Sequence, residues 1–339
     1  HVNKHYVREK VGLNWEQYFT REDLFDALNE GLGDIPDTVA KHFDVLNRDT
    51  APDIAMTNSC KGCDYWEFCS DGKPEHWVAT LPKLNSKKWA ELTALNIDDI
   101  RDIPDDFPLT EIQDRMRQVV INEETYASND LGSALMELGP PAAYLDFETM
   151  APAIPLYPGT KPYQQLPVQW SLHRLDEAGV LSHEEFLATG NADPRRAFSE
   201  SLVAELRASN EPILVYSSFE RTTINNMIKL FPDLEDQLCT IVDRLKDLLP
   251  VVRSHIYHKD FKGKFSIKYV APALSDKVDY RELEGVADGQ AASAIFERIA
   301  TGNLKERENV PDLRTSLLEY CKLDTLAMVE VHRALMKIN

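Results

Sequence analysis

Between Ala142 and Thr149 the chain reads Ala-Ala-Tyr-Leu-Asp-Phe-Glu-Thr, apolar enough for a central strand yet carrying two acids. Side chains alternate across a strand, so Asp146 and Glu148 share one face and Leu145 and Phe147 take the other. Carboxylates about 7 Å apart on one face repel unless a cation lies between them. Mg²⁺ or Mn²⁺ is the natural guest, because such hard ions prefer carboxylate oxygens. An exposed edge strand with its acids in water is the plain alternative. The setting argues against it: Gly139-Pro140-Pro141 closes a linker just ahead, and an α/β pattern follows.

That pattern predicts strands over 143–149, 167–175, 183–188 and 212–217, with helices over 194–209 and 219–231. A segment 239–249, a loop, and helices near 266–274 and 290–301 come next. The last helix runs from about Pro311 to Lys337, and Pro311 suits a first turn, where its missing N–H is no loss. A mixed sheet flanked by helices is the architecture expected, an α/β fold. Upstream, residues 1 to about 50 read as amphipathic helices, with Trp15, Tyr18, Phe19, Leu24 and Leu28 as apolar markers and Thr20 to Asp23 as a helix start. Residues 81–138 read as helical again. Three units result: 1–80, 81–139 and 140–339.

Two more motifs fall in the third unit. Glu220 follows the apolar run Ile213-Leu214-Val215 at a strand-to-helix junction, where ligands of open α/β sheets collect. Tyr320 and Asp324 lie four apart in the last helix, hence on one face, with Leu313, Leu317 and Cys321 as packing. Singly, each has an ordinary structural reading: an acid in a helical first turn, and a surface hydrogen bond. Asp243 and Asp247 are reserve acids, more readily structural than catalytic.

In order, Asp-x-Glu on a strand, an acid after a strand, and Tyr-x-x-x-Asp on a helix resemble the DEDD exonuclease superfamily, DnaQ-like and of the tyrosine branch, on an RNase H-like fold. The Tyr-Cys-x-x-Asp form is similar to that of proofreading domains in B-family DNA polymerases. The resemblance implies 3′→5′ phosphodiester hydrolysis with two Mg²⁺ or Mn²⁺ ions. It implies Asp146, Glu148, Glu220 and Asp324 as metal-binding residues, with Tyr320 aiming the attacking water. The second motif of the family carries Asp where this chain has Glu220. A catalytically idle RNase H-like domain that binds nucleic acid or a partner is the alternative reading, and an RNase H-type endonuclease is a third.

Cys60-x2-Cys63-x5-Cys69 places three soft ligands in ten residues, a spacing that grips one metal or cluster. His76 would complete the set for zinc, whereas Cys239 and Cys321 read as core thiols. The arrangement resembles the C-terminal end of RecB-type nucleases, where a [4Fe–4S] cluster staples the domain, although no nuclease core precedes Cys60. As a whole the chain resembles bacterial proteins that join such an iron–sulfur module to a DEDD exonuclease domain. Its Pro-Tyr-Gln-Gln-Leu-Pro-Val-Gln-Trp-Ser segment, from Pro162 to Ser171, belongs to the same resemblance.

A net charge of −19 argues against indiscriminate phosphate binding by the whole surface. One basic stretch stands out: Arg253, Lys259, Lys262, Lys264 and Lys268, interleaved with Tyr257, Phe261, Phe265 and Tyr269. Lysines would hold phosphates and rings would stack bases of single-stranded or frayed DNA or RNA. A solvated loop with inward rings fits equally. No apolar run approaches the ~20 residues that span a bilayer, so the expected setting is cytoplasmic and away from membranes.

Overall fold

The computed structural model describes residues 1–9, 12–50, 56–280, 286 and 288–338. Its centre is a five-stranded mixed sheet: β1 (Ala142–Met150), β2 (Leu166–Leu175), β3 (Leu181–Leu187), β4 (Ile213–Val215) and β5 (Leu245–Asp247), in spatial order β3-β2-β1-β4-β5. β1, β2 and β3 pair antiparallel, while β4 and β5 add on in parallel beyond β1. The mixed sheet flanked by helices matches the architecture expected from the sequence, and its strand order follows from the pairing. It makes β1 a central strand, which explains why Ala143, Leu145 and Phe147 are all buried.

Alternation along β1 separates two layers. Ala143, Leu145 and Phe147 pack with Trp170 and Leu172 of β2 against α1 (Pro194–Leu206), α2 (Phe219–Leu230) and α3 (Glu235–Arg244). Phe198 of α1 is fully buried there, its ring edge-on to Phe147 at 4.9 Å. The opposite face takes α4 (Leu248–His255), α5 (Ile267–Leu274), α6 (Gly289–Thr301) and α7 (Val310–Ile338). At 29 residues, α7 is about 44 Å long and packs across β1, β2 and β3. Under it, β2 presents a polar row: the Gln169 side-chain amide donates to the Leu317 carbonyl at 2.9 Å, and Ser171 and His173 both meet the Thr325 hydroxyl at 2.8 Å.

The sequence placed most of these elements within a few residues. The segment 239–249 resolves into the end of α3, strand β5 and the start of α4, because Asp247 turns the chain by accepting the Leu249 N–H at 2.9 Å. A two-residue ribbon joining Tyr126–Ala127 to Ile256–Tyr257 carried no pattern to read. It ties residues 81–138 to the sheet domain, and Trp77 through Leu138 share a buried cluster with Tyr257, Phe261, Val270 and α7.

Residues 15 to 46 form three short helices, Trp15–Tyr18, Phe25–Gly31 and Ile35–Leu46. The expected start at Thr20 is displaced to Phe25, whose N–H is accepted by the Asp23 carboxylate at 2.9 Å. Of the apolar markers only Tyr18 is buried; Trp15, Phe19, Leu24 and Leu28 remain exposed. Among the described residues no helix is long and apolar enough to cross a membrane.

Candidate functional site

Asp146 and Glu148, at the even positions of β1, face α7 rather than the α1–α3 layer. Asp146 lies opposite Ser171 and Glu148 opposite Gln169 in the β1–β2 ladder. From above, α7 lowers Tyr320 and Asp324 onto this face, both buried. The result is a set in which Asp146, Glu148 and Asp324 each offer a carboxylate oxygen within 4.8 Å of the other two. Residues about 180 positions apart in the chain thus meet.

Hydrogen bonds orient each acid. The Tyr280 hydroxyl donates to Asp324 Oδ1 at 2.7 Å, and Tyr320 also hydrogen-bonds Asp324. The Cys321 thiol donates to Asp146 Oδ2 at 3.5 Å, so this cysteine, read as core packing, is core packing that touches the site. Glu220 is buried in the first turn of α2, where the Ser217 hydroxyl donates to its Oε2 at 3.3 Å. Its oxygens fall outside the 4.8 Å set, although its charge is felt by Asp146 and Glu148. Asp247, the reserve acid, is occupied as a helix cap, and Asp243 is exposed.

Crowded acids shielded from water hold their protons. Burial, then repulsion from Asp324, Glu220 and Glu148, pushes Asp146 well above the usual carboxylate range. Burial followed by Asp324 raises Glu148 to about 8. Burial raises Glu220 to about 7 and Asp324 to about 6, the latter despite hydrogen bonds from both tyrosines. Burial also pushes the Tyr320 and Tyr280 phenols upward, so both are donors at neutral pH. Lys268, at the start of α5, provides a counter-charge: its ammonium lies 4.9 Å from the Tyr320 ring and 5.6 Å from that of Tyr280, and it draws Glu148 and Asp324 downward. Sharing of protons among crowded acids marks a site short of positive charge, and an all-oxygen donor set suits a hard divalent cation.

Beside Glu148 a cleft of about 740 Å³ opens between the end of β1 and the N-terminus of α6, lined also by Phe219, Gln165, Gly289 and Ser293. Gly289 borders it, and an added Cβ there would make an ordinary contact, 3.7 Å from Glu148 Oε2.

A family model described as Domain of unknown function (DUF2779) matches residues 143–266. The matched segment holds Asp146, Glu148 and Glu220 and stops short of Lys268, Tyr280, Tyr320 and Asp324. No curated protein and no solved structure matches the chain.

The other predicted residues are distributed differently. Lys268 reaches the carboxylates, while Lys262 and Lys264 line a separate cleft. Tyr257, Phe261 and Phe265 are buried in a mutually edge-on trio at 5.5–6.0 Å and cannot stack bases; of the four interleaved rings only Tyr269 is exposed. Cys60, Cys63 and Cys69 stand near one another in sequence, Cys60 half-buried and the others exposed, but their sulfurs do not form a set within 4.8 Å. A single tetrahedral zinc would hold thiolates about 3.8 Å apart, so no ready-made zinc set exists there. Sequence reasoning missed Tyr280, which meets Asp324 across 44 residues of chain with no motif around it.

Proposed function

We propose that the protein is a metal-dependent exonuclease removing nucleotides from the 3′ ends of DNA or RNA. The observation that carries this reading is the meeting of Asp146, Glu148 and Asp324 oxygens within 4.8 Å, beside the phenol of Tyr320. Asp146, Glu148 and Asp324 would hold Mg²⁺ or Mn²⁺, with Glu220 acting from outside through water. Two such ions, when bound, activate a water, orient the scissile phosphate and take up charge on the departing 3′-oxygen.

The chain's own groups account for the rest. Tyr320, protonated and one helical turn from Asp324, would direct the attacking water by hydrogen bonding. Tyr280 fixes the Asp324 carboxylate by donating to its Oδ1, and Lys268 would add positive charge where a phosphate arrives. The cleft beside Glu148 has room for a terminal nucleotide. Nothing in this scheme requires a covalent bond to protein. Five free cysteines fit a reducing, cytoplasmic compartment. Within the same reading Cys60, Cys63 and Cys69 are offered as three ligands of a [4Fe–4S] cluster, checked by a broad absorbance at about 400 nm in anaerobically purified protein.

The test is digestion of 5′-labelled single strands with Mn²⁺. A ladder shortening from the 3′ end, reduced at least about a thousandfold by Asp146→Asn, supports the reading. Intact strands that nevertheless bind would make the domain an idle nucleic-acid-binding fold, and cuts in circular DNA an endonuclease.

A further inference from the structure

Away from the carboxylates, a cleft of about 630 Å³ follows the seam between the cysteine-bearing region and the sheet domain. Lys61, Trp66 and Lys83 stand on one side, and Lys262, Lys264 and Tyr269 on the other. The seam is closed tightly at Gly263: an added Cβ would lie 1.8 Å from the Thr80 carbonyl oxygen, and its φ of +74° favours glycine. The two lysine-bearing walls are therefore held in fixed relation.

Four lysines lining one hollow contrast with a chain of net charge −19. Glu67 is the acid on the rim. None of the four lysines is ion-paired to a carboxylate among the described residues. Lys61 lies instead over the Trp89 ring at 5.2 Å, and Lys264 over Tyr269 at 4.3 Å, donating to its hydroxyl at 2.6 Å. A second hollow of about 260 Å³ shares Lys262 and Tyr269 with the first and continues, past Asp260, to Lys268. Lys268 in turn is the ammonium that acts on Glu148 and Asp324. Lysines thus recur from the seam to the carboxylates, with Glu67 and Asp260 as the acids among them.

We propose that the seam cleft is a second nucleic-acid site, gripping the phosphates of a single strand upstream of the end being cut. Phosphates match the lysines; Trp66, stacked on Trp77 at 5.3 Å, and Tyr269, under Lys264 at 4.3 Å, each have a second face for bases that only an unpaired strand exposes. The inference deepens the exonuclease reading and rests on it for the direction of the strand.

Fluorescence anisotropy tests it, using the full chain carrying Asp146→Asn and labelled oligothymidylates of about 20 and about 4 nucleotides. Lys61→Gln with Lys83→Gln should weaken the 20-mer at least about tenfold and flatten the slope of log affinity against log salt by about 1.4, two phosphate contacts' worth. The 4-mer should change by less than about twofold, and Lys61→Arg with Lys83→Arg should retain 20-mer affinity. Unchanged 20-mer binding, or equal loss for both lengths, overturns the cleft and leaves the exonuclease reading untouched. Length-dependent loss in a chain whose Asp146 form leaves strand ends intact would sink the exonuclease reading and keep the cleft.

Discussion

Asp146 is held by a thiol, faces three other acids and is raised far above the carboxylate range. Its neighbours differ in how directly they join it. Asp324 and Glu148 bring oxygens within 4.8 Å, whereas Glu220 acts from farther off through its charge. Glu220→Gln should therefore lower turnover by about ten- to a hundredfold, well short of the loss from Asp146→Asn; single-turnover digestion compares them. Equal losses would place Glu220 among the direct ligands. Tyr280 offers a sharper case. Its hydrogen bond favours the charged form of Asp324, so Tyr280→Phe should raise the Asp324 pKa and move the acid limb of the pH–rate profile upward by about half to one unit. An unmoved limb would make the bond merely structural.

At the scale of elements, the sheet and its helices were legible because their physics is local. β1 alternates from Leu145 to Glu148 and β2 from Val168 to His173, and α7 announces itself through a long period near 3.6. Asp146, Glu148, Tyr320 and Asp324 could be named because strand and helix periods fix which residues share a face. Tyr280 and Ser217 could not, since their positions depend on how distant segments pack. Nor could the inward turn of Phe261 and Phe265, because a run of alternating lysines and rings looks alike whether its rings face core or solvent. The N-terminal helices show the same limit: their apolar markers mark a stripe, not what covers it. Two substitutions probe the packing. Phe198→Ala empties a fully buried site against Phe147 and should cost about 3–5 kcal/mol by urea unfolding. Gly263→Ala must displace the Thr80 backbone and should raise protease sensitivity of residues 60–85 while the sheet domain stays resistant.

For the molecule as a whole, the acid cluster couples stability to pH and to cations. Glu148, Glu220 and Asp324 titrate at about 8, 7 and 6 in the folded chain, above the values near 4 of unfolded carboxyls. A raised pKa means the folded state binds protons more tightly. That stability is fully present below about pH 4 and is lost as pH rises through 6 to 8. Chelator-treated protein should accordingly melt lower at about pH 8 than at about pH 5, with Mn²⁺ restoring the difference mostly at the higher pH. Asp146→Asn should flatten the dependence. A melting temperature that climbs with pH would mean the carboxylates are not crowded in solution.

The most direct measurement is anomalous diffraction at the manganese edge from crystals soaked in Mn²⁺. Peaks lodged against the carboxylates of Asp146, Glu148 and Asp324, absent from the Asp146→Asn protein, are the expected result. Crystals that bind manganese elsewhere while these three side chains stay bare would contradict the account.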